Sequence, residues 1–473
     1  MGQRRLLLFL LIAFLVAPLD CRRATGGADD PLDREAREAF ISYLKIDTSN
    51  PPGRETPGAE FLRQLLRKEG IDAQLVGADP QRQSVYARLR SGSNEKALLL
   101  LHHIDVVPAV AAEWTKSPFA GAVAWGYTWG RGALDVKSLG IAEAMSLIEI
   151  KRRKLPLRRD IVFLAVADEE AGGLRGAKEL LATHPELFDN VGFVLNEGGY
   201  NETIVDRVAF WGIEVQQKVP LWLSLHARGV AGHAAAPPDD GGSIAKLVAA
   251  LAAIEQIPTP NRLTPDVEAY FHAAGVARRD ERGEVLRNIA AELGGPRIAK
   301  ALTPAYRALL HDTIAITRIA AGSSVNSIPA NATAEVDIRL LPDEEPQPML
   351  DRVRSVAGKE VEIEVLLAGK PAPATRANTE LFTTLQRLME KESPGSRVAP
   401  IVGAGTTDSR FFREHGMVAY GVAPFKVNYY DAGTAHGNDE RIRTRFFSEG
   451  VRLMRTIVID FCARKSGKNS PES

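Results

Sequence analysis

Cysteine is nearly missing from this chain: Cys21 and Cys462 are the only two among 473 residues. Cys21 falls in an N-terminal stretch expected to be removed, so neither a disulfide framework nor a cysteine metal site can be assembled. Any metal must be held by histidine and carboxylate. Net charge is missing too, with 59 Lys+Arg against 59 Asp+Glu. That balance removes the electrostatic case for nucleic acid or an anionic membrane as the main partner and points to a small substrate. Beyond the first residues no uninterrupted apolar run approaches the roughly 20 residues that span a bilayer, so the mature protein is expected to be soluble.

The N-terminus carries Arg4 and Arg5 and then an apolar run from Leu6 to Val16, the charged and short apolar regions of a secretory signal. Residues 1–24 are expected to export the chain to the periplasm or the medium, or to anchor it if uncleaved. Asp20 before Cys21 argues against lipidation. The length implies a catalytic domain plus a second domain, and residues 466–473 read as a frayed tail.

Three short apolar runs, ALLLLHH at 97–103, DIVFLAVA at 160–167 and VGFVL at 191–195, read as buried sheet strands. Between them KSLGIAEAMSLIEIKR at 137–152 has helical periodicity, so the order strand, helix, strand predicts an α/β sheet. From Lys218 the texture changes. The alternating VPLWLSLHARG, a helix at 243–256, strands at 313–320 and 332–340, a helix at 346–357 and a strand at 360–367 make a β-α-β-β-α-β order. That order suits a small α+β open sandwich of ferredoxin-like type. The expected layout is a catalytic domain over 30–217 and 371–465, interrupted by an inserted unit at 218–370. Residues 261–311 add a charge-rich helical stretch to which pattern assigns no role.

The three apolar strands run into metal-type side chains: His103 and Asp105, then Glu169 and Glu170, then Glu197. Open α/β sheets bind ligands outside the carboxyl ends of their strands, so these residues are expected to converge. Asp135 and His436, each expected just before a helix, complete five candidate ligands with His103, Glu170 and Glu197. Singly, a strand-end histidine is more often a hydrogen-bonded core residue and paired acids a solvated turn; repeated acids ending apolar strands are the unusual feature. Imidazole and carboxylate suit zinc, and two zinc ions within about 4 Å require a shared carboxylate, for which Asp135 is suited. A separate base must take a proton from water, a role for Glu169. Asp105 could accept the other imidazole N–H of His103 and fix its tautomer.

The motifs HHIDVVP, WGRGALDVKS, ADEEAGG, NEGG, GVAGHAAAPP, SSVNSIPANATAEVDIR, GTTDSRFF and AHGNDERI, in this order, resemble the dinuclear zinc aminoacylase, carboxypeptidase and deacetylase superfamily. The resemblance runs from about Arg34 to Phe461 and is nearest to the carboxypeptidase S and N-acyl-amino-acid hydrolase branch. It implies a mixed-sheet zinc-exopeptidase domain with an inserted lid through which two copies could dimerise. It also implies two Zn2+, with Co2+ or Mn2+ as substitutes: one on His103, Asp135 and Glu197, the other on Asp135, Glu170 and His436. Glu169 would be the general base. His233 would stabilise the oxyanion, in some relatives across a dimer, while Asn326 and Arg339 would hold substrate. Gly405 and Thr406 could offer backbone contacts.

Two positions depart from the family pattern. EVQQKVP stands where many relatives have Glu-Lys-Gly, and Asn196 stands where Asp is common; neither replaces a ligand. The reading that follows is hydrolysis of an amide bond next to a free carboxylate, by a carboxypeptidase acting on short peptides or by an N-acyl-amino-acid amidohydrolase. A catalytically silent peptide-binding relative would be expected to have lost the base or a ligand, and all six positions are filled.

Overall fold

The computed structural model describes residues 30–464 apart from 205; the expected leader at 1–24 and tail at 466–473 lie outside them. Nine strands form the principal sheet. Its middle is parallel: Ala97–His103 lies between Ile161–Val166 and Val191–Asn196, and Val418–Gly421 continues beside the latter. Ser84–Leu89 and Ala73–Val76 extend one side antiparallel. On the other side Arg207–Gln217 pairs antiparallel with Val418–Gly421 and parallel with Arg397–Gly403, so the sheet is mixed.

The continuous apolar texture of the central strands follows from burial on both faces. Successive side chains of a strand point to opposite faces. Leu98 and Leu100 accordingly enter the core that contains Ile141, Met145 and Ile148 of helix Lys137–Arg152 and Val451 and Val458 of helix Thr444–Cys462. Leu99 and Leu101 enter a second core with Leu180, Leu181, Phe411 and Phe412. Cys462 is buried and free.

The expected β-α-β-β-α-β elements are Val219–Arg228, Gly242–Glu255, Thr313–Ala321, Asn331–Leu340, Pro346–Ala357 and Val361–Ala368. Their strands form a separate antiparallel sheet in which Asn331–Leu340 and Val219–Arg228 are central. Both helices bury Leu247, Leu251, Met349 and Val353 against one face, on Leu221, Leu223, Val336 and Ile338.

The helical stretch behaves differently from its neighbours in sequence. Helices Pro265–Val276, Glu281–Arg287 and the short turns after them bury Val267, Phe271, Val285 and Leu286 in a core shared with Phe210, Ile401 and Val402 of the principal sheet. The insertion thus caps the edge of the large sheet. Lys218 at the crossing between the two sheets pins it: its Nζ donates to the carbonyls of Ala308 and His311, both at 2.9 Å. No helix among the described residues is long and apolar enough to cross a membrane.

Candidate active site

The carboxyl ends of three parallel strands deliver their polar residues to one place, as the sheet rule requires. His103 ends Ala97–His103, Glu169 and Glu170 follow Ile161–Val166, and Glu197 follows Val191–Asn196. Asp135 lies between the two histidines. Its Oδ1 is 3.0 Å from His103 Nε2, while its Oδ2 is 3.0 Å from His436 Nε2; Glu170 Oε2 is 3.2 Å from the same His436 nitrogen. Two donor groups result, His103 with Asp135 and Glu197, and Asp135 with Glu170 and His436, the atoms of each within 4.8 Å of one another.

These residues fit two divalent cations. Each group mixes imidazole with carboxylate, Asp135 offers a different oxygen to each, and Glu170 Oε1 is buried without a hydrogen-bond partner among the described residues.

Asp105 differs from expectation. His103 Nδ1 meets the backbone carbonyl of Asp105 at 2.9 Å, whereas the carboxylate Oδ1 is 3.7 Å away, beyond hydrogen-bond range. That carboxylate instead accepts from the backbone N–H of Glu169 at 3.2 Å, from that of Glu170 at 3.0 Å and from Asn50 Nδ2 at 2.8 Å. A loop residue two positions on can satisfy the ring with its carbonyl, which frees its side chain to anchor the turn carrying the two glutamates. The same turn is held from behind by Asp168, in the left-handed region at φ 73°. Arg82 bridges Asp168 at 2.8 Å and buried Glu55 at 2.6 Å.

Glu169 lines the cavity, and its carboxylate has no hydrogen-bond or ion-pair partner among the described residues. Burial, reinforced by Glu197, Asp408 and Glu170, pushes that carboxyl well above the usual range. Sequence reasoning missed Glu440, a fully buried residue in AHGNDERI. It accepts from the backbone N–H groups of Gly132, Leu134 and Asp135 at 3.1, 2.7 and 3.1 Å and from Arg131 at 2.7 Å, so it clamps the loop that presents the shared carboxylate. Its position just after His436 was the available signal.

Both departures from the family pattern sit behind the ligands. Asn196 donates to Ser409 Oγ at 3.0 Å. Gln217 exchanges hydrogen bonds with Thr407, at 2.9 Å to its carbonyl and 3.0 Å from its hydroxyl, tying the start of the inserted unit to the loop of Gly405 and Thr406.

A cavity of about 1400 Å³ opens from the donor groups, and Arg339, Gly405 and Thr406 line it. Arg339 enters it already paired: Nε is 2.7 Å from Asp337 Oδ1 and Nη2 is 2.8 Å from Oδ2. His233 and Asn326 do not line it. His233 is part of the exposed ladder Gly232–His233 with Ser327–Ile328 and Asn326 adjoins it; His233 Nδ1 accepts from the N–H of Ala235, and Asn326 Oδ1 accepts from the Ser324 hydroxyl. Within one chain, therefore, the residues expected at the oxyanion and one of those expected at the substrate are not brought to the donor groups.

The model of the peptidase family M20/M25/M40 matches residues 99–460. The chain belongs to this family. Among its M20 relatives, the N-fatty-acyl-amino acid synthase/hydrolase PM20D1 of Xenopus tropicalis is 32% identical over 396 residues, covering 80% of this chain and 75% of that protein. Aminoacylase-1 of Sus scrofa is 26% identical over 437 residues, 89% of this chain and 93% of that one. An M20 metallo-carboxypeptidase from Sulfolobus solfataricus shares the fold with a TM-score of 0.69 at 20% identity, covering 90% of this chain and 98% of that one. The M20 assignment and the two donor groups make the chain a metal-dependent hydrolase of peptide or amide bonds.

Proposed function

We propose that this M20 hydrolase is an N-acyl-amino-acid amidohydrolase that takes bulky, largely apolar acyl groups. The observation that carries the reading is the cavity beside Glu169. At about 1400 Å³ it exceeds the roughly 300–1,000 Å³ of most small-ligand pockets, and Tyr306, Leu309, Ile401 and Val402 form part of its wall. The name of the Xenopus relative points the same way. Carboxypeptidase action on short peptides is the second reading. It is favoured by the polar part of the cavity, where Glu202 meets Arg278 at 2.9 Å.

Zinc is the metal we assign to both donor groups, Co2+ or Mn2+ being compatible with the same atoms; when bound it would polarise the scissile carbonyl and acidify water. The chain's own residues do the rest. Glu169, held by the Asp105 anchor and free of other partners, takes the proton of the attacking water and returns it to the departing amine. Arg339 keeps one side of its fork for the substrate carboxylate while Asp337 fixes the other. His233 would reach the oxyanion from a second copy of the chain, consistent with its exposure here, and the leader would place the enzyme outside the cytoplasm.

The test is turnover of N-acyl amino acids of increasing chain length against blocked dipeptides, with bound metal measured and Glu169→Ala alongside. Preference for the long acyl substrates is expected. Cleavage of dipeptides alone would favour the second reading, and full activity in Glu169→Ala would sink the mechanism.

A further inference from the structure

The catalytic cavity contains an arginine that has neither an ion pair nor a hydrogen bond among the described residues. Four arginines line it: Arg278, Arg282, Arg339 and Arg410. Arg278 pairs with Glu202 at 2.9 Å, Arg339 with Asp337 at 2.7 Å, and Arg410 donates to the carbonyls of Thr407 and Gly172 at 3.0 and 2.6 Å. Arg282 has neither a carboxylate within 4.0 Å nor a hydrogen bond among the described residues. Its Nε is buried and unpartnered among the described residues, whereas buried polar groups are ordinarily satisfied by a hydrogen-bond partner. The guanidinium is not loose, because it stacks on the ring of Tyr306 at 4.8 Å from the centroid, and Tyr306 is held in turn by its hydroxyl donating to Glu202 at 3.1 Å.

A planar, oriented, half-buried fork facing a ligand cavity is matched by a carboxylate. We infer that Arg282, supplied by the helical insertion, is a second carboxylate-binding point of the catalytic cavity, additional to Arg339. This rests on the amidohydrolase reading only for the choice of ligands. The carboxylate could belong to the amino-acid end of the substrate or to the far end of a dicarboxylic acyl group. Arg339, half-consumed by Asp337, leaves room for either source.

The experiment uses full-length, zinc-loaded protein in the Glu169→Ala background, so that ligands persist. Calorimetric titration is made with N-octanoylphenylalanine, with its neutral carboxamide, and with N-suberoyl-phenylalaninamide, whose only carboxylate is on the acyl end. Arg282→Gln is expected to weaken one carboxylate ligand at least about tenfold and leave the neutral amide unchanged, which also reports that the variant is folded. Arg282→Lys should recover part of the loss, since it keeps the charge without the fork. Loss confined to N-octanoylphenylalanine assigns the amino-acid end; loss confined to the suberoyl ligand assigns the acyl end. Equal weakening of all three ligands, no weakening of any, or no measurable binding of either carboxylate overturns the inference and leaves Arg282 as a stacking partner of Tyr306. Turnover by the enzyme with Glu169 intact is read separately, so failure to hydrolyse any of these compounds counts against the amidohydrolase reading without altering the binding result.

Discussion

The two places where this M20 chain keeps its reactive side chains are built in opposite ways. At the end of the principal sheet three of the segments that carry metal-type residues are backed by another buried group: His103 by the Asp105 carbonyl, the Glu169–Glu170 turn by the Asp105 carboxylate, and the Asp135 loop by Glu440. In the inserted unit, His233 on an exposed two-residue ladder and Asn326 beside it have side chains that bond only to positions two residues away among the described residues. The first arrangement is preorganised, with orientation fixed before a ligand arrives. The second is incomplete within one chain, and its residues can act only if the unit closes or another copy approaches.

The comparison breaks most visibly at Glu169. Its removal should lower kcat about 10²–10⁴-fold, the usual worth of general-base work, while bound metal stays constant because both donor groups are intact. Metal analysis and steady-state kinetics read the two quantities. His233→Ala tests the exposed side: a loss toward 10²–10³-fold is expected if it is an oxyanion donor, again with metal content unchanged. Mixing that variant with Glu169→Ala sharpens the point, since regained activity in the mixture requires His233 of one copy to serve Glu169 of the other, and its absence would confine His233 to its own chain.

Smaller effects probe the buttresses. Glu440→Gln should cost about 10–100-fold in metal affinity or activity, read by metal titration, because three backbone N–H groups of the Asp135 loop lose their charged acceptor. An unchanged affinity would show that the loop is held by other means. Smallest is the hinge. Burial pushes the Lys218 ammonium down to about 8, with Arg339 adding to the shift and Asp312 opposing it. The folded chain then binds fewer protons than the unfolded chain between about pH 8 and 10.5, so this group makes stability rise with pH across that window and adds no slope below it. Lys218→Met should remove on the order of 3 kcal/mol of that rise in denaturant titrations, at about 1.4 kcal/mol for each pKa unit. Parallel pH profiles for the two proteins would mean that the lysine remains charged in the fold.

Much of this was legible in one dimension because the signals are short-range. ALLLLHH reads as a doubly buried strand, and the structure places it over Ala97–His103 with every residue buried. The periodicity of 137–152 reads as a helix and forms one over Lys137–Arg152. The β-α-β-β-α-β order was equally readable, because alternation and helical spacing repeat within each element. What escaped reading is what depends on address. Helical periodicity at 261–311 says that an apolar face must be covered but not by what, and the cover proves to be Phe210, Ile401 and Val402 of a sheet the intervening elements had left behind. Arg207–Gln217, which carries no alternating pattern, was not read as a strand and is the one that links both halves of the sheet edge. A carboxylate such as Glu440 looks like any polar motif residue until three backbone donors converge on it.

The chain's own residues thus determined that histidines and carboxylates, with no usable cysteine, would end apolar strands, and this dictated the chemistry of the site. Which oxygen of Asp135 faces which histidine, whether the Asp105 side chain serves His103 or the glutamate turn, and that Arg282 enters the cavity unpaired were decided only by tertiary structure. The reason is physical. Composition and spacing set which groups exist and which face they occupy, whereas hydrogen bonds reach only about 3 Å, so their partners are chosen by packing between segments hundreds of residues apart.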